Sequence, residues 1–130
     1  AYTLERKQFG KPVGSFQAVK HMLAQAAIEI EFSKATLYRA AYSLDNDNPL
    51  QKLHAAQAKL QAIDACEMAS RNSMQAHGAM GYTWEMDLHI FIRRGWSYKQ
   101  VWGNKSLLEN YIMKQLEKDL PKLGSTYTFL

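Results

Sequence analysis

Two long stretches with helical spacing of apolar residues, separated by the turn sequence DNDNP, constrain the fold of this chain most strongly. In the first stretch, apolar or small residues recur at alternating steps of four and three: Val19, Leu23, Ala26, Ile30, Ser33, Leu37, Ala40 and Leu44. This spacing is typical of a helix that packs lengthwise against neighbouring helices. We therefore predict a helix that is N-capped by Ser15 and runs to about Leu44.

The second stretch predicts a helix from about Leu50 to His77, with Asn48 as a capping residue and Pro49 at its first position. One face of this helix is apolar, and another is a ridge of small residues: Ala55, Ala58, Ala62, Ala65 and Ala69. Small residues let a second helix approach closely. We therefore expect neighbours on two sides of this helix, with one side in a contact between subunits.

The remaining segments also have helical character. Residues 1–7 are typical of the last turns of a helix, so the chain is expected to begin partway along one, before a break at FGKPVG. A short helix is predicted from about Leu88 to Tyr98, and a last helix from Lys105 to about Leu120, where Pro121 ends it. No stretch alternates convincingly as a strand. We predict one all-α domain over residues 1–130, an antiparallel up-and-down four-helix bundle.

Composition excludes several classes of function. No apolar run approaches the roughly 18 residues that a membrane span needs. Cys66 is the only cysteine, so an intrachain disulfide is impossible and a reducing compartment is favoured; we expect its thiol to be buried. The four histidines are far apart, and no metal site is predicted. The net charge of +4 comes from basic residues that are scattered among acids except at Arg93 and Arg94, and a compact phosphate-bearing cofactor would account for it as well as a nucleic acid.

The segment ERKQFGKPVGSFQ gathers an unusual set of side chains at one helix joint. A glycine C-cap would explain Gly10, but not why Arg6, Phe9 and Gln17 crowd the same corner. A guanidinium for phosphate, an aromatic ring for a base and an amide form a set suited to a nucleotide. The segment QAHGAMGYTWE adds Gln75 and Gly78, since a glycine lets the backbone approach a ligand closely.

These two segments resemble the C-terminal domain of the acyl-CoA dehydrogenase family. The first is similar to that family's Arg-x-x-Phe-Gly-Lys-Pro followed by Phe-Gln, and the second to its Gln-x-x-Gly-Gly-x-Gly-Tyr-x-x-Glu, with Ala79 in place of the second glycine. The resemblance implies that FAD is the cofactor and that this corner serves the ADP half of an FAD held mostly by a neighbouring subunit. It implies these cofactor-binding positions: Arg6, Phe9, Gln17, Gln75, Gly78, Ala79 and Asn104. The family's N-terminal helical domain and middle β domain would be absent from this chain.

A third segment, IRRGWSYKQVWGN, departs from the family at its catalytic position. The family pattern has Arg-Asp-Ala and, further on, Tyr-Glu-Gly-Thr; here Arg94 stands at the Asp, Trp102 at the Glu and Asn104 at the Thr. That Glu is the general base in most members, and an indole has no lone pair to accept a proton. The resemblance therefore assigns no catalytic residue within this chain.

Three interpretations of Trp102 stay open. The base could lie on the helix before Ala1, it could belong to a partner subunit of a hetero-oligomer in which this subunit is base-less, or the indole could close a pocket that no longer supports dehydrogenation. The resemblance otherwise implies an FAD-dependent α,β-dehydrogenation of an acyl-CoA thioester, electron-transfer flavoprotein or a similar acceptor, and a homo- or hetero-tetramer. It places the protein in a bacterial cytoplasm or the mitochondrial matrix, and the fragment alone should be inactive.

Two other classes of helical protein fit the sequence less well. A di-iron carboxylate bundle needs a Glu followed three residues later by a His, and no Glu in this sequence has one. A cofactor-free helical interaction module gives no reason for the set of Arg6, Phe9, Gln17 and Gln75, but remains the alternative if the subunit is non-catalytic.

Overall fold

A computed structural model describes residues 1–118, and these residues are almost entirely helical. The elements are α1 (Tyr2–Glu5), β1 (Lys7–Gln8), β2 (Lys11–Pro12), a 3-10 turn (Val13–Ser15), α2 (Gln17–Asp45), α3 (Gln51–His77), a second 3-10 turn (Gly78–Tyr82), α4 (Leu88–Gln100) and α5 (Lys105–Lys118). The predicted all-α class is confirmed. The predicted end of the last helix, at Leu120 and Pro121, lies outside the described residues.

The structure adds one short hairpin that the sequence pattern did not predict. β1 and β2 form an antiparallel two-stranded hairpin, with Lys7 opposite Pro12 and Gln8 opposite Lys11. Each strand has only two residues, which is too short for the period-2 alternation that identifies a strand in a sequence. The hairpin turn, rather than the strands, was the available signal.

The start of α2 also differs from the prediction. Ser15 lies in the 3-10 turn, where its hydroxyl donates to the carbonyl of Pro12 at 2.7 Å, and α2 begins at Gln17 without a side-chain cap. At the next joint, Oδ1 of Asn48 accepts from the backbone N–H of Leu50 at 2.8 Å, as a capping residue would. α3 begins at Gln51, so Pro49 precedes the helix instead of occupying its first position.

The side of α2 that faces α3 has as many polar as apolar side chains. Its less exposed members are Val19, Met22, Ala26, Glu29, Ser33, Thr36, Ala40 and Ser43. Glu29 accepts from the amide of Gln61 at 2.8 Å, and Asn72 of α3 donates to the carbonyl of Met22 at 2.7 Å. The helix is therefore rotated so that half of the predicted stripe faces outward: Leu23, Ile30, Leu37 and Leu44 are between 39% and 58% exposed.

α3 is the central helix of the domain, because it packs against α2, α4 and α5. α4 and α5 follow one another along α3, and both run antiparallel to it. Lys99 of α4 pairs with Glu67, Lys105 of α5 pairs with Asp64, and further along, Leu108 packs on Ile63 and Ala56. Tyr111 and Ile112 complete this apolar cluster.

The alanine ridge of α3 is divided between two environments. Ala58 and Ala65 are buried within this chain, at 7% and 4% exposure, whereas Ala62 is exposed. Cys66, expected to be buried, is only half-buried. No helix among residues 1–118 is long and apolar enough to cross a membrane.

Candidate functional site

The N-terminal segment contacts the C-terminal end of α3 through a hydrogen bond and a pair of stacked rings. The hydroxyl of Tyr2 donates to the backbone carbonyl of His77 at 3.2 Å, and the rings of the two residues stack with centroids 4.3 Å apart. The backbone N–H of Val13 donates to the carbonyl of Arg6 at 2.8 Å and closes the base of the hairpin. Residues that are 75 positions apart in the sequence thus meet at one corner.

The hairpin presents an aromatic ring at its tip. Phe9 and Gly10 form the two-residue turn with φ of +53° and +77°, the left-handed backbone that type I′ turns require at both positions. A bulky residue rarely adopts this conformation, and strained backbone of this kind clusters at functional sites. The side chain of Phe9 is 91% exposed and meets Phe16 edge-on, with ring centroids 6.2 Å apart.

The end of α3 forms the opposite wall of this corner. Gly78 terminates the helix with φ +60° and ψ −139°, a conformation that only glycine adopts readily. A Cβ atom at Gly78 would meet nothing within 4 Å, so the space in front of it is open. Gly81 holds the following turn against α3, because a Cβ there would lie 2.9 Å from the carbonyl oxygen of Met74.

Between these two walls lies a groove of about 340 Å³, here called the end groove. The residues that line it come from α1, the hairpin, the start of α2 and the end of α3: Tyr2, Arg6, Gln8, Phe9, Val13, Phe16, Val19, Gln75, Ala76, His77, Gly78, Ala79 and Met80. Five of the seven predicted cofactor-binding residues are among them. The groove also contains His77 and Met80, which match no position of the family pattern and so were not predicted from the sequence.

The other two predicted residues lie outside the lining. Gln17 is the exposed first residue of α2 and follows Phe16, which does line the end groove. Asn104 is at the α4–α5 joint, where its Oδ1 accepts from the backbone N–H of Leu107 at 3.0 Å. Its neighbour Lys105 pairs with Asp64, which is about 16 Å along α3 from Gln75 at 1.5 Å per residue. Within this chain, Asn104 and the end groove are therefore separate sites.

The end groove is electropositive at its mouth. Arg6 and Lys7 are exposed, and among the described residues neither forms an ion pair with a carboxylate. Lys11, which the sequence reasoning did not single out, places its ammonium 4.6 Å from the ring centroid of Phe16. Cations beside an exposed aromatic ring and an amide suit a ligand that carries both phosphate and a flat base.

The α4–α5 joint has the same backbone conformation as the hairpin turn, an aromatic residue and a glycine that both have positive φ. Trp102 has φ +60° and is 87% exposed, and Gly103 follows with φ +114°. A Cβ atom at Gly103 would lie 3.3 Å from Cδ2 of Leu107, so the turn is packed tightly onto α5. The indole of Trp102 therefore projects away from the helices, and its only polar atom is a donor.

Stacked cations and aromatic rings surround the start of α4. Arg93 lies 5.1 Å from the ring centroid of Trp84, and Trp84 meets His89 edge-on at 4.5 Å. Arg94, which stands where the family pattern has an acid, lies over the ring of Tyr98 at 5.8 Å. This residue therefore contributes a cation to an exposed surface. Within residues 1–118, no group of three His, Cys, Asp or Glu side chains is arranged to hold a metal ion.

Comparison with known proteins matches residues 1–118 to the family described as acyl-CoA dehydrogenase, C-terminal domain. The chain is 33% identical over 121 residues to acyl-CoA dehydrogenase IpdE2 of Mycobacterium tuberculosis (strain ATCC 25618 / H37Rv), covering 92% of this chain and 34% of that protein. Its fold is similar to a solved FAD-dependent dehydrogenase, with a TM-score of 0.83, 27% identity, and coverage of 88% of this chain and 31% of that one. It is also similar to a chain in the solved structure of the electron transferring flavoprotein of Acidaminococcus fermentans, with a TM-score of 0.85, 28% identity, and coverage of 91% and 31%. The chain thus spans about a third of the length of these relatives.

Proposed function

This chain belongs to the acyl-CoA dehydrogenase family, and we propose on that premise that it is the C-terminal domain of an FAD-dependent enzyme that dehydrogenates an acyl-CoA thioester between its α and β carbons. In this proposal the domain completes the binding site of FAD and supplies contacts between subunits. A bound FAD would supply the acceptor for the hydride that leaves the β carbon. The residues of this chain bind and orient the ADP half of that cofactor.

The observation that carries the proposal is the convergence of Arg6, Phe9, Gln75 and Gly78 on the end groove. Arg6 offers planar donors to the pyrophosphate, and the exposed ring of Phe9 offers a surface for stacking. The amide of Gln75 can both donate and accept, and Gly78 leaves open space in which a ligand can approach the backbone. These donors and this shape fit the ADP half of FAD.

The outer face of α2 supports the proposed contacts between subunits. On the side of α2 turned away from α3, four large apolar side chains, Ile28, Phe32, Tyr38 and Tyr42, are between 53% and 70% exposed. A group of exposed large apolar side chains on one side of a helix is typical of a surface that contacts another chain. We propose α2, rather than the largely internal alanine ridge of α3, as the principal contact in a homo- or hetero-tetramer.

We further propose the usual partners of such an enzyme, namely an acyl-CoA substrate and electron-transfer flavoprotein or a similar acceptor, and a location in a bacterial cytoplasm or the mitochondrial matrix. The similarity to a chain in the electron transferring flavoprotein structure supports a flavin electron-transfer setting. The end groove supports a bound cofactor rather than a cofactor-free interaction module.

Because Trp102 stands at the position of the family's general base, the proton must be removed by a residue elsewhere. The indole cannot remove the proton from the carbon next to the thioester carbonyl, and its exposed position allows it to wall the space next to the substrate. We propose that the base lies on the chain that precedes Ala1. The second candidate is a base-less subunit that pairs with a competent partner, and the replacement of the acid at position 102 is the observation that favours it.

The cofactor proposal is tested by FAD occupancy of the full-length protein that contains this chain. Arg6→Ala should lower the ratio of flavin to protein after purification, because the guanidinium no longer meets the pyrophosphate. Arg71→Ala is the matched control, since Arg71 is an exposed arginine of α3 that does not line the end groove. Equal flavin content in the two variants would refute the assignment.

A further inference from the structure

A second cavity lies between α3 and α4 and has no part in the proposed function. Its volume is about 220 Å³. The walls are apolar side chains and a glycine of the two helices: Ala62, Ile63, Cys66, Gly95, Trp96 and Tyr98. The cavity follows α3 from Lys59 to Ser70, about 16 Å at 1.5 Å per residue. It is therefore a narrow, elongated and apolar space, here called the side cavity.

The close approach of α4 to α3 defines one wall of the side cavity. A Cβ atom at Gly95 would overlap Sγ of Cys66, so the glycine makes room for the Cys66 side chain where the two helices meet. Two ties hold the helices on either side of this contact: Lys59 donates to the backbone carbonyl of Tyr98, and Lys99 pairs with Glu67. The cavity is thus bounded by fixed contacts.

The mouth of the side cavity carries one uncompensated charge. Lys99 and Glu67 neutralise each other. The ammonium of Lys59 uses one of its donors on a neutral carbonyl, and within residues 1–118 no carboxylate lies within 4 Å of it. A cation with free donors therefore stands at one end of an elongated apolar space.

We propose that the side cavity binds an amphipathic monocarboxylate, a medium-chain fatty acid, with its carboxylate on Lys59 and its alkyl tail along Ala62, Ile63 and Cys66. A charge-assisted hydrogen bond would satisfy the free donors of Lys59, and the apolar walls would cover the tail. The volume is below the roughly 300 Å³ at which pockets for drug-sized ligands begin, which selects a small ligand. Lys59 is about 24 Å along α3 from Gln75, so this ligand and the cofactor would not compete.

The test is calorimetric titration of sodium octanoate into the full-length protein that contains this chain. The wild type should bind octanoate, and Lys59→Met should weaken binding about tenfold, because a hydrogen bond to a charged group is lost. Lys52→Met is the matched control: Lys52 is an exposed lysine of the same helix that does not line the cavity, and its variant should bind as the wild type does. Octan-1-ol, which lacks the charge, should bind the wild type and Lys59→Met equally.

A second variant tests whether the alkyl tail of octanoate lies in the side cavity. Ala62→Met places a flexible side chain at the exposed wall of the side cavity and should weaken octanoate and octan-1-ol alike, in protein that keeps its unfolding midpoint. The proposal is overturned if the folded wild type gives no octanoate binding, as it would if another segment of the protein filled the cavity. It is equally overturned if Lys59→Met and Lys52→Met bind octanoate with the same affinity.

Discussion

Two turns of this molecule share one backbone conformation but differ in what surrounds them. Phe9–Gly10 at the hairpin and Trp102–Gly103 at the α4–α5 joint each place a large aromatic residue at positive φ, followed by a glycine at positive φ. Both aromatic side chains are nearly fully exposed, at 91% and 87%. Each turn thus accepts an unfavourable backbone conformation and holds a ring away from the helices.

The surroundings of the two rings differ. Phe9 belongs to a groove in which an arginine, a glutamine and a glycine of the family pattern converge. Trp102 lines neither the end groove nor the cavity between α3 and α4, and it stands where the family pattern has the general base. The comparison suggests that the cofactor corner is retained while the catalytic corner is altered. The predictions below test this difference, beginning with the largest effect.

The largest effect concerns proton removal. We expect the full-length protein, made without any partner, to bleach its flavin anaerobically when an acyl-CoA is added, since we propose a base upstream of Ala1. Trp102→Phe should change the bleaching rate by only a few fold, whereas loss of a general base costs about 10² to 10⁴-fold. Stopped-flow absorbance of the flavin measures both.

A protein that never bleaches alone, but does so when co-expressed with a second subunit, would contradict the upstream base and support the base-less subunit. Trp102→Glu sharpens this case. A carboxylate restored beside Gly103 should then return some turnover to the isolated protein, and Gln25→Glu, which adds the same charge at an exposed position of α2, should not.

The second prediction compares the glycines of the two turns. Gly10→Ala and Gly103→Ala should each destabilise the protein by about 1–3 kcal/mol, because both positions require positive φ. The cost should be larger at Gly103, where a Cβ would press on Leu107, than at Gly10, where it would meet nothing within 4 Å. Differential scanning calorimetry of the full-length protein checks the order, and an equal or inverted order would show that packing at the α4–α5 joint is looser than described.

Sequence patterns predicted the helices of this chain well and their faces less well. The turn residues of DNDNP before α3 and Gly78 after it mark helix ends whatever the tertiary structure. The rotation of α2 depends instead on hydrogen bonds such as Glu29–Gln61, which no apolar pattern contains. For the same reason the stripe through Leu23 and Leu37 was assigned to the interior, although these residues are exposed.

The candidate site shows a similar division. The spacing within each segment predicted that Arg6 and Phe9 act together, as do Gln75 and Gly78, and the structure unites the two pairs. That His77 would meet Tyr2 required knowing how α1 returns to the end of α3. The separation of Asn104 from this group is likewise a property of the tertiary arrangement.

The third prediction concerns the pH dependence of stability, which should arise in the core and not in either turn. Neither turn carries a titratable side chain, whereas His54 is buried, and its Nδ1 lies 2.6 Å from the hydroxyl of Ser43. Burial, and then the charge of Arg39, lower the pKa of His54 below its ordinary value of about 6.5. The unfolded chain therefore binds a proton more readily than the folded one, and stability should fall as the pH drops below about 6.5, by at most about 1.4 kcal/mol per pH unit.

The control for this prediction is His54→Gln, which keeps a polar partner for Ser43 but does not titrate. Between pH 7.5 and 5.5 the unfolding midpoint of the wild type should fall more than that of the variant. Parallel curves would mean that His54 is protonated as easily in the folded protein as in the unfolded one, and the acid sensitivity would then have another origin.

The smallest effect on stability, and the most direct comparison of the two rings, comes from replacing each with glycine. In Phe9→Gly and Trp102→Gly the relief of left-handed strain, about 1–3 kcal/mol, is offset by the conformational entropy of glycine, about 0.5–1 kcal/mol. Both variants should therefore be as stable as the wild type or slightly more so. Flavin content should separate them, because only Phe9 stands among the residues proposed to hold the cofactor. We expect Phe9→Gly to be purified with less FAD and Trp102→Gly to keep its full complement. If both variants lost FAD equally, the two turns would serve one cofactor, and the distinction between a retained and an altered corner would fail.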